Sequence, residues 1–276
     1  MDFAGRPKAG PFESNATLEV TANGRFLYSV YDAGSEYNRP VLFNASGQQV
    51  ARLTSRTGSW DLRPLSDSTF LYRDGGKITI YRLRRMNPVA SYSTGVEVAA
   101  DLPRTALSGD CSVYAFLTRD EVIIVNLADS AVSHCARPEC DRGSSYPYLL
   151  FSSSGDALVV LSRSNSSERA DLIVKGDSGY EKRSSPYGVT WGDGWVFAPE
   201  QSFVKDGLVV LNHREQADST FHYRSSVFNL YGNPASGFLG IEGLVVPALS
   251  PGKFKQVQMS ARTADIIDLF MRPVSP

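Results

Sequence analysis

Apolar and polar positions alternate along this chain in a phrase that returns six times. A polar turn is followed by a short apolar run, and a second run then alternates and breaks on a polar residue. The turns are Asn23-Gly24, Ser66-Asp67, Gly109-Asp110, Ser154-Gly155, Asp206-Gly207 and Pro251-Gly252, separated by 43, 43, 45, 52 and 45 residues. The first runs are Phe26–Val30, Phe70–Tyr72, Val113–Phe116, Leu158–Leu161, Leu208–Leu211 and Phe254–Val257. The second runs are Val41–Asn44, Ile78–Tyr81, Ile123–Asn126, Leu172–Lys175, Ser226–Asn229 and Ile266–Leu269. Short runs this rich in β-branched and aromatic residues are strands. Each pair predicts a hairpin, most clearly around Asp74-Gly75-Gly76-Lys77, where glycine supplies the positive φ of a tight turn. A further strand is predicted ahead of each polar turn, at Thr17–Thr21, Trp60–Leu65, Asp101–Leu107, Tyr146–Ser152, Val196–Phe203 and Leu244–Leu249. No segment keeps an i, i+3, i+4, i+7 apolar pattern for three turns, so long helices are not expected.

A period in this range is the signature of a β-propeller with four-stranded blades. The expected fold is all-β: six four-stranded antiparallel blades around one axis, residues 1–276 forming a single domain. The stretch Gly188–Phe203 lies in the longest interval, and a seventh blade there is the alternative count. The order of inner strand, turn, strand, hairpin and strand resembles the WD-repeat type of propeller over nearly the whole chain. The Gly-His dipeptide of that family is missing, and Trp60-Asp61 sits on an inner strand, outside the usual place of its Trp-Asp pair. The resemblance implies a rigid disc whose loops carry recognition. That is a protein-interaction scaffold within a larger assembly. After Ile266–Phe270 only a tail containing Pro273 and Pro276 follows, and proline cannot donate to a strand ladder. Ring closure is therefore expected from Met1–Gly10, pairing with that last strand.

Composition narrows the partners. With 28 Lys+Arg against 29 Asp+Glu, the chain has no electrostatic footprint for nucleic acid or an anionic membrane. Its longest apolar stretches, such as Val113–Leu117, fall far short of the ~20 residues that span a bilayer. Met1–Gly10 has no apolar h-region and does not read as a secretory signal. An odd number of cysteines, three, points to a reducing and hence cytoplasmic setting. Cys111, at the start of the Val113–Phe116 run, is expected to be buried.

Candidate chemistry is sparse. His134-Cys135 with Cys140 has zinc-like spacing, but the second half of a four-ligand set is absent. The acids Glu19, Asp61, Asp101 and Glu242 lie on or beside the predicted inner strands and would line a central channel. Six-bladed propellers of the gluconolactonase type hold a divalent cation there by oxygen ligands, and that resemblance implies the rival function, a metal-dependent lactonase-like hydrolase. Arg82, Arg84 and Arg85 could grip phosphate, which makes a phosphate or nucleic-acid binder the third reading. No G-x-S-x-G, Walker or dinucleotide motif occurs. No catalytic, cofactor or metal residue is assigned. Tryptophan is enriched at binding hot spots. The candidate binding surface is accordingly Trp60, Asp61, Asp101, Trp191, Trp195 and Glu242, facing protein partners.

Overall fold

The computed structural model describes residues 17–20, 26–30, 41–43, 49–53, 60–66, 68–82, 85–96, 105–137, 148–163, 168–183, 187–189, 195–198, 202–205, 207–217, 220–229, 241–242, 244–247, 254–258 and 263–267. Among them there are strands and turns and no helix. Six antiparallel sheets follow one another along the chain. The first holds β1 (Thr17–Val20), β2 (Phe26–Val30), β3 (Val41–Phe43) and β4 (Gln49–Arg52). The second holds β5 (Trp60–Pro64), β6 (Thr69–Asp74), β7 (Lys77–Arg82) and β8 (Asn87–Ser93). The third holds β9 (Thr105–Leu107), β10 (Val113–Leu117), β11 (Glu121–Asn126) and β12 (Val132–Ala136). In each the strands lie side by side in chain order, because each short turn returns the chain antiparallel to the strand just made.

The fourth and fifth sheets depart from that plan. The fourth contains β13 (Tyr148–Phe151), β14 (Ala157–Arg163), β15 (Glu168–Gly176), β16 (Gly179–Lys182) and β17 (Tyr187–Val189). Both β16 and β17 pair with β15, at its two ends. The fifth contains β18 (Trp195–Phe197), β19 (Phe203–Lys205), β20 (Leu208–Ala217), β21 (Thr220–Asn229) and β22 (Ile241–Glu242). Here β18 and β19 both pair with β20. The strand expected at Val196–Phe203 is thus two strands with a break between them. Asn212 on β20 spans the break: its carbonyl accepts from Ala198 N at 2.8 Å and its N–H donates to Ser202 Oγ at 2.9 Å. The stretch Gly188–Phe203 is shared between the fourth and fifth sheets. The sixth sheet has β23 (Leu244–Pro247), β24 (Phe254–Gln258) and β25 (Thr263–Ile267). Met1–Gly10, the expected closing strand, lies outside the described residues.

The chain forms two compact units, residues 1–103 with 117–123, and residues 104–116 with 124–276. In the first unit β1 lies beside β5. Leu53 packs there with Leu62, Phe70 and Tyr72, backed by Ala51, Trp60, Tyr81 and Met86. Phe70 and Tyr81 stack with ring centroids 5.3 Å apart. In the second unit β9 lies beside β13, β13 beside β19, and β23 beside β20 and β21. First strands therefore neighbour first strands where the third, fourth and fifth sheets meet. An apolar core of Ala157, Val159, Leu161, Ala170 and Leu172 from the fourth sheet meets Val204, Val209, Leu211 and Phe228 from the fifth. The valine, leucine and phenylalanine side chains among these each contribute about 1.5–3 kcal/mol when fully buried. Two buried charges sit in strand interiors. Arg73 is fully buried and donates to Gly75 O at 2.9 Å, and buried Asp171 faces Lys182 Nζ at 3.6 Å.

Candidate functional site

Antiparallel order gives every sheet two unlike ends. First-to-second and third-to-fourth connections fall at one end. Second-to-third connections, and the exits toward the next sheet, fall at the other. At the first end most connections are short, such as residues 65–68, 108–112, 127–131 and 152–156, with 230–240 the long exception. At the second end lie the longer connections 31–40, 53–59, 94–104 and 137–147.

Of the six candidate residues, the described ones, Trp60, Asp61, Trp195 and Glu242, stand near the second ends of their own sheets. Trp60 and Asp61 open β5, and Trp60 is level with Asp74 at the tip of the β6–β7 hairpin. Trp195 opens β18, opposite Glu215 on β20. Glu242 ends β22, opposite Arg224 on β21. Asp101 and Trp191 fall in the connections 94–104 and 190–194, outside the described residues. Trp60 is half-buried against the cluster of Leu62, Phe70 and Tyr72. Asp61 accepts from Arg63 Nε at 3.1 Å and stands opposite Arg73 across the ladder. Glu242 precedes β23, the first strand of the sixth sheet, by two residues. It is on the far edge of the fifth sheet from β18, three strand spacings or ~14 Å away.

The first end is built differently, from side chains that copy a turn. Ser108 N donates to Val113 O, and Ser152 N to Ala157 O, closing equivalent loops. Ser108 Oγ accepts from Ser112 N and Val113 N and donates to Asp110. Ser152 Oγ accepts from Ala157 N and donates to Asp156. The acid sits two residues after the serine in one turn and four after it in the other, and a second serine, Ser112 or Ser154, hydrogen-bonds it in each. For Asp156 the Ser152 hydroxyl acts most strongly, and it lowers the carboxyl below its ordinary value despite partial burial. Burial pushes Asp110 up, but donors from Ser108 and Ser112 outweigh it and the net shift is downward. Sequence reading found these turns but not their serine–aspartate wiring. The repeated Ser-x-x-x-x-apolar spacing, Ser108 to Val113 and Ser152 to Ala157, is the signal that carries it.

Of the zinc-like set, Cys140 lies outside the described residues. His134 is exposed and Cys135 buried, because consecutive strand residues point to opposite faces. The Cys135 thiol instead donates to Tyr180 O at 3.2 Å. Among the described residues no group of three or more His, Cys, Asp and Glu is placed to hold a metal. Arg82 and Arg85 are exposed at the β7–β8 turn, and Arg84 lies outside the described residues. Cys111 is half-buried rather than buried: it belongs to the turn, with φ of 59°, and not to β10. No helix among the described residues is long and apolar enough to cross a membrane.

No family profile matches the chain, and no curated protein does. Among solved structures, a prolyl endopeptidase is similar with a TM-score of 0.51 at 17% identity, covering 98% of this chain. The chain spans 42% of that endopeptidase. A eukaryotic initiation factor matches at TM-score 0.42 and 12% identity, over 94% of this chain and 76% of the other. The antiparallel sheets and the endopeptidase likeness fit a propeller-like fold.

Proposed function

We propose that the chain is a six-bladed, WD-repeat-like propeller whose long-connection ends form a platform for a protein partner. The observation behind this reading is that the described candidates, Trp60, Asp61, Trp195 and Glu242, stand on strands beside the connections by which one sheet leads to the next. Binding residues concentrate on loops held by a rigid scaffold, and tryptophan is enriched among them. In this reading Met1–Gly10 supplies the last strand of the sixth blade. Deleting it would lower the melting temperature and promote oligomers, and a truncated chain that melts like the full one as a monomer would refute the closure. The platform itself is tested by grafting Gly-Ser sequence over residues 97–102 and 190–193. Retention of the partner in co-purification should be lost while the melting temperature holds.

The metal-dependent hydrolase is the second reading. The endopeptidase likeness bears on its fold alone. One observation weighs against converging carboxylates: Asp61 is engaged by Arg63. A thermal shift with Ca²⁺ against EDTA separates the readings, since a ligand bound only by the folded state raises its apparent stability. The third reading, phosphate or nucleic-acid binding through Arg82 and Arg85, calls for oligonucleotide affinity that falls steeply with salt.

A further inference from the structure

The third and fourth sheets meet along a seam that is hydrogen-bonded where the fourth–fifth contact is apolar. At its inner side Asp110 N donates to Ser153 O at 2.9 Å. Further out, Gly155 presses on β10 so closely that a Cβ there would lie 2.7 Å from Val113 Cγ2. At the outer side the Cys135 thiol of β12 donates to Tyr180 O of β16, and a Cβ on Gly179 would lie 3.2 Å from Ser133 Oγ. Tyr180 is held from both directions. Its main-chain carbonyl takes the bond from the third sheet, and its phenol reaches across β15 to donate to Gly155 O in the turn of its own sheet. Register explains the reach: Tyr180 is opposite Lys175, whose N–H donates to Asp156 O at 2.8 Å, so the ring lies level with that turn. Besides these bonds β16 is held by its ladder to β15 and by the Lys182–Asp171 ion pair. It is four residues long and forms a sheet edge, and Asp177, Ser178, Glu181 and Lys182 around it are exposed. Such edges open locally well below the free energy of global unfolding.

We propose that Tyr180 is a latch that keeps β16 closed over Cys135, so that releasing its phenol opens this seam locally and exposes the buried thiol. The phenol is suited to constant donation. Burial, then the charges of Asp156 and Asp110 and the thiol of Cys135, push its pKa up to about 12, so it keeps its proton across the physiological range.

The test is alkylation of Cys135 by N-ethylmaleimide in a Cys111→Ser, Cys140→Ser background. Tyr180→Phe removes one hydroxyl and leaves the ring. It should speed labelling about tenfold, the opening expected from one lost buried hydrogen bond. The faster labelling should be nearly independent of low urea, which marks a local opening. Labelling at the parent rate, or labelling that follows global unfolding in urea, overturns the proposal. If Tyr180→Phe does not fold, hydrogen exchange on the unmodified chain decides. Amides of residues 179–182 should exchange far ahead of those in β14, and equal protection would refute the latch.

Discussion

Cys111 and Gly155 occupy the same step of two copies of one turn, three residues after Ser108 and Ser152, with φ of 59° and 73°. A side chain in this left-handed region costs about 1–2 kcal/mol, which glycine avoids. Cys111→Gly should therefore raise stability by about 0.5–1 kcal/mol, the strain relief less glycine's greater chain entropy, and a lowered melting temperature would contradict this. Gly155→Ala works in the opposite direction twice, through φ and through Val113. It should cost about 3 kcal/mol in chemical denaturation, and a neutral result would mean the turn relaxes freely. The two aspartates set the acid limb. Both carboxyls titrate lower folded than unfolded, so their stabilisation is complete above about pH 4 and is lost as the pH falls through the depressed folded values. Both carboxyls are exposed, so each contributes little. Ser152→Ala should flatten the stability loss below pH 4, whereas an unchanged acid limb would dissociate it from this turn. Tyr180 has the reverse sign: its contribution holds below about pH 10 and fades as the pH rises through about 12.

Among the elements, the second and third strands of each repeat were legible because their short apolar runs are rich in β-branched and aromatic residues and flanked by turn residues. Phe26–Val30 is a strand with those very bounds. The fourth strands were harder to read. Residues 87–93 form β8 with a mostly exposed pattern, and an edge strand facing water has no apolar run to announce it. Strand 263–267 lies a few residues ahead of the apolar run Ile266–Leu269, because pairing with Phe254–Gln258 fixes its register. The broken strand of the fifth sheet was missed although Pro199 marks it, since proline has no N–H for the ladder. There Ser202 Oγ donates to Ala198 O at 2.9 Å and accepts from Asn212 N, replacing the missing strand pairing with a side chain. Ser202→Ala would leave a buried N–H without its acceptor. It should cost about 1–2 kcal/mol, measured by urea unfolding, and no loss would mean that the neighbouring pairs of β18 and β19 hold the break unaided. The candidate site was legible only as composition. Tryptophans and acids could be picked out, but that Trp60 and Trp195 each open a strand follows from the ladders.

For the whole molecule, the account rests on a division of labour between the two ends of each sheet. In the third and fourth sheets serine–aspartate turns fasten one end, and the long connections leave from the other. Under the proposed platform reading, partner contact falls on the long-connection ends and spares the serine–aspartate turns. The direct measurement is hydroxyl-radical footprinting of the chain alone and in the complex purified from its native source. The account predicts protection in residues 31–40, 53–59, 94–104, 137–147 and 190–194, with Trp191 among the strongest, while residues 108–112 and 152–156 stay unchanged. Protection concentrated on the serine–aspartate turns, with the long connections as reactive as in the free chain, would contradict it.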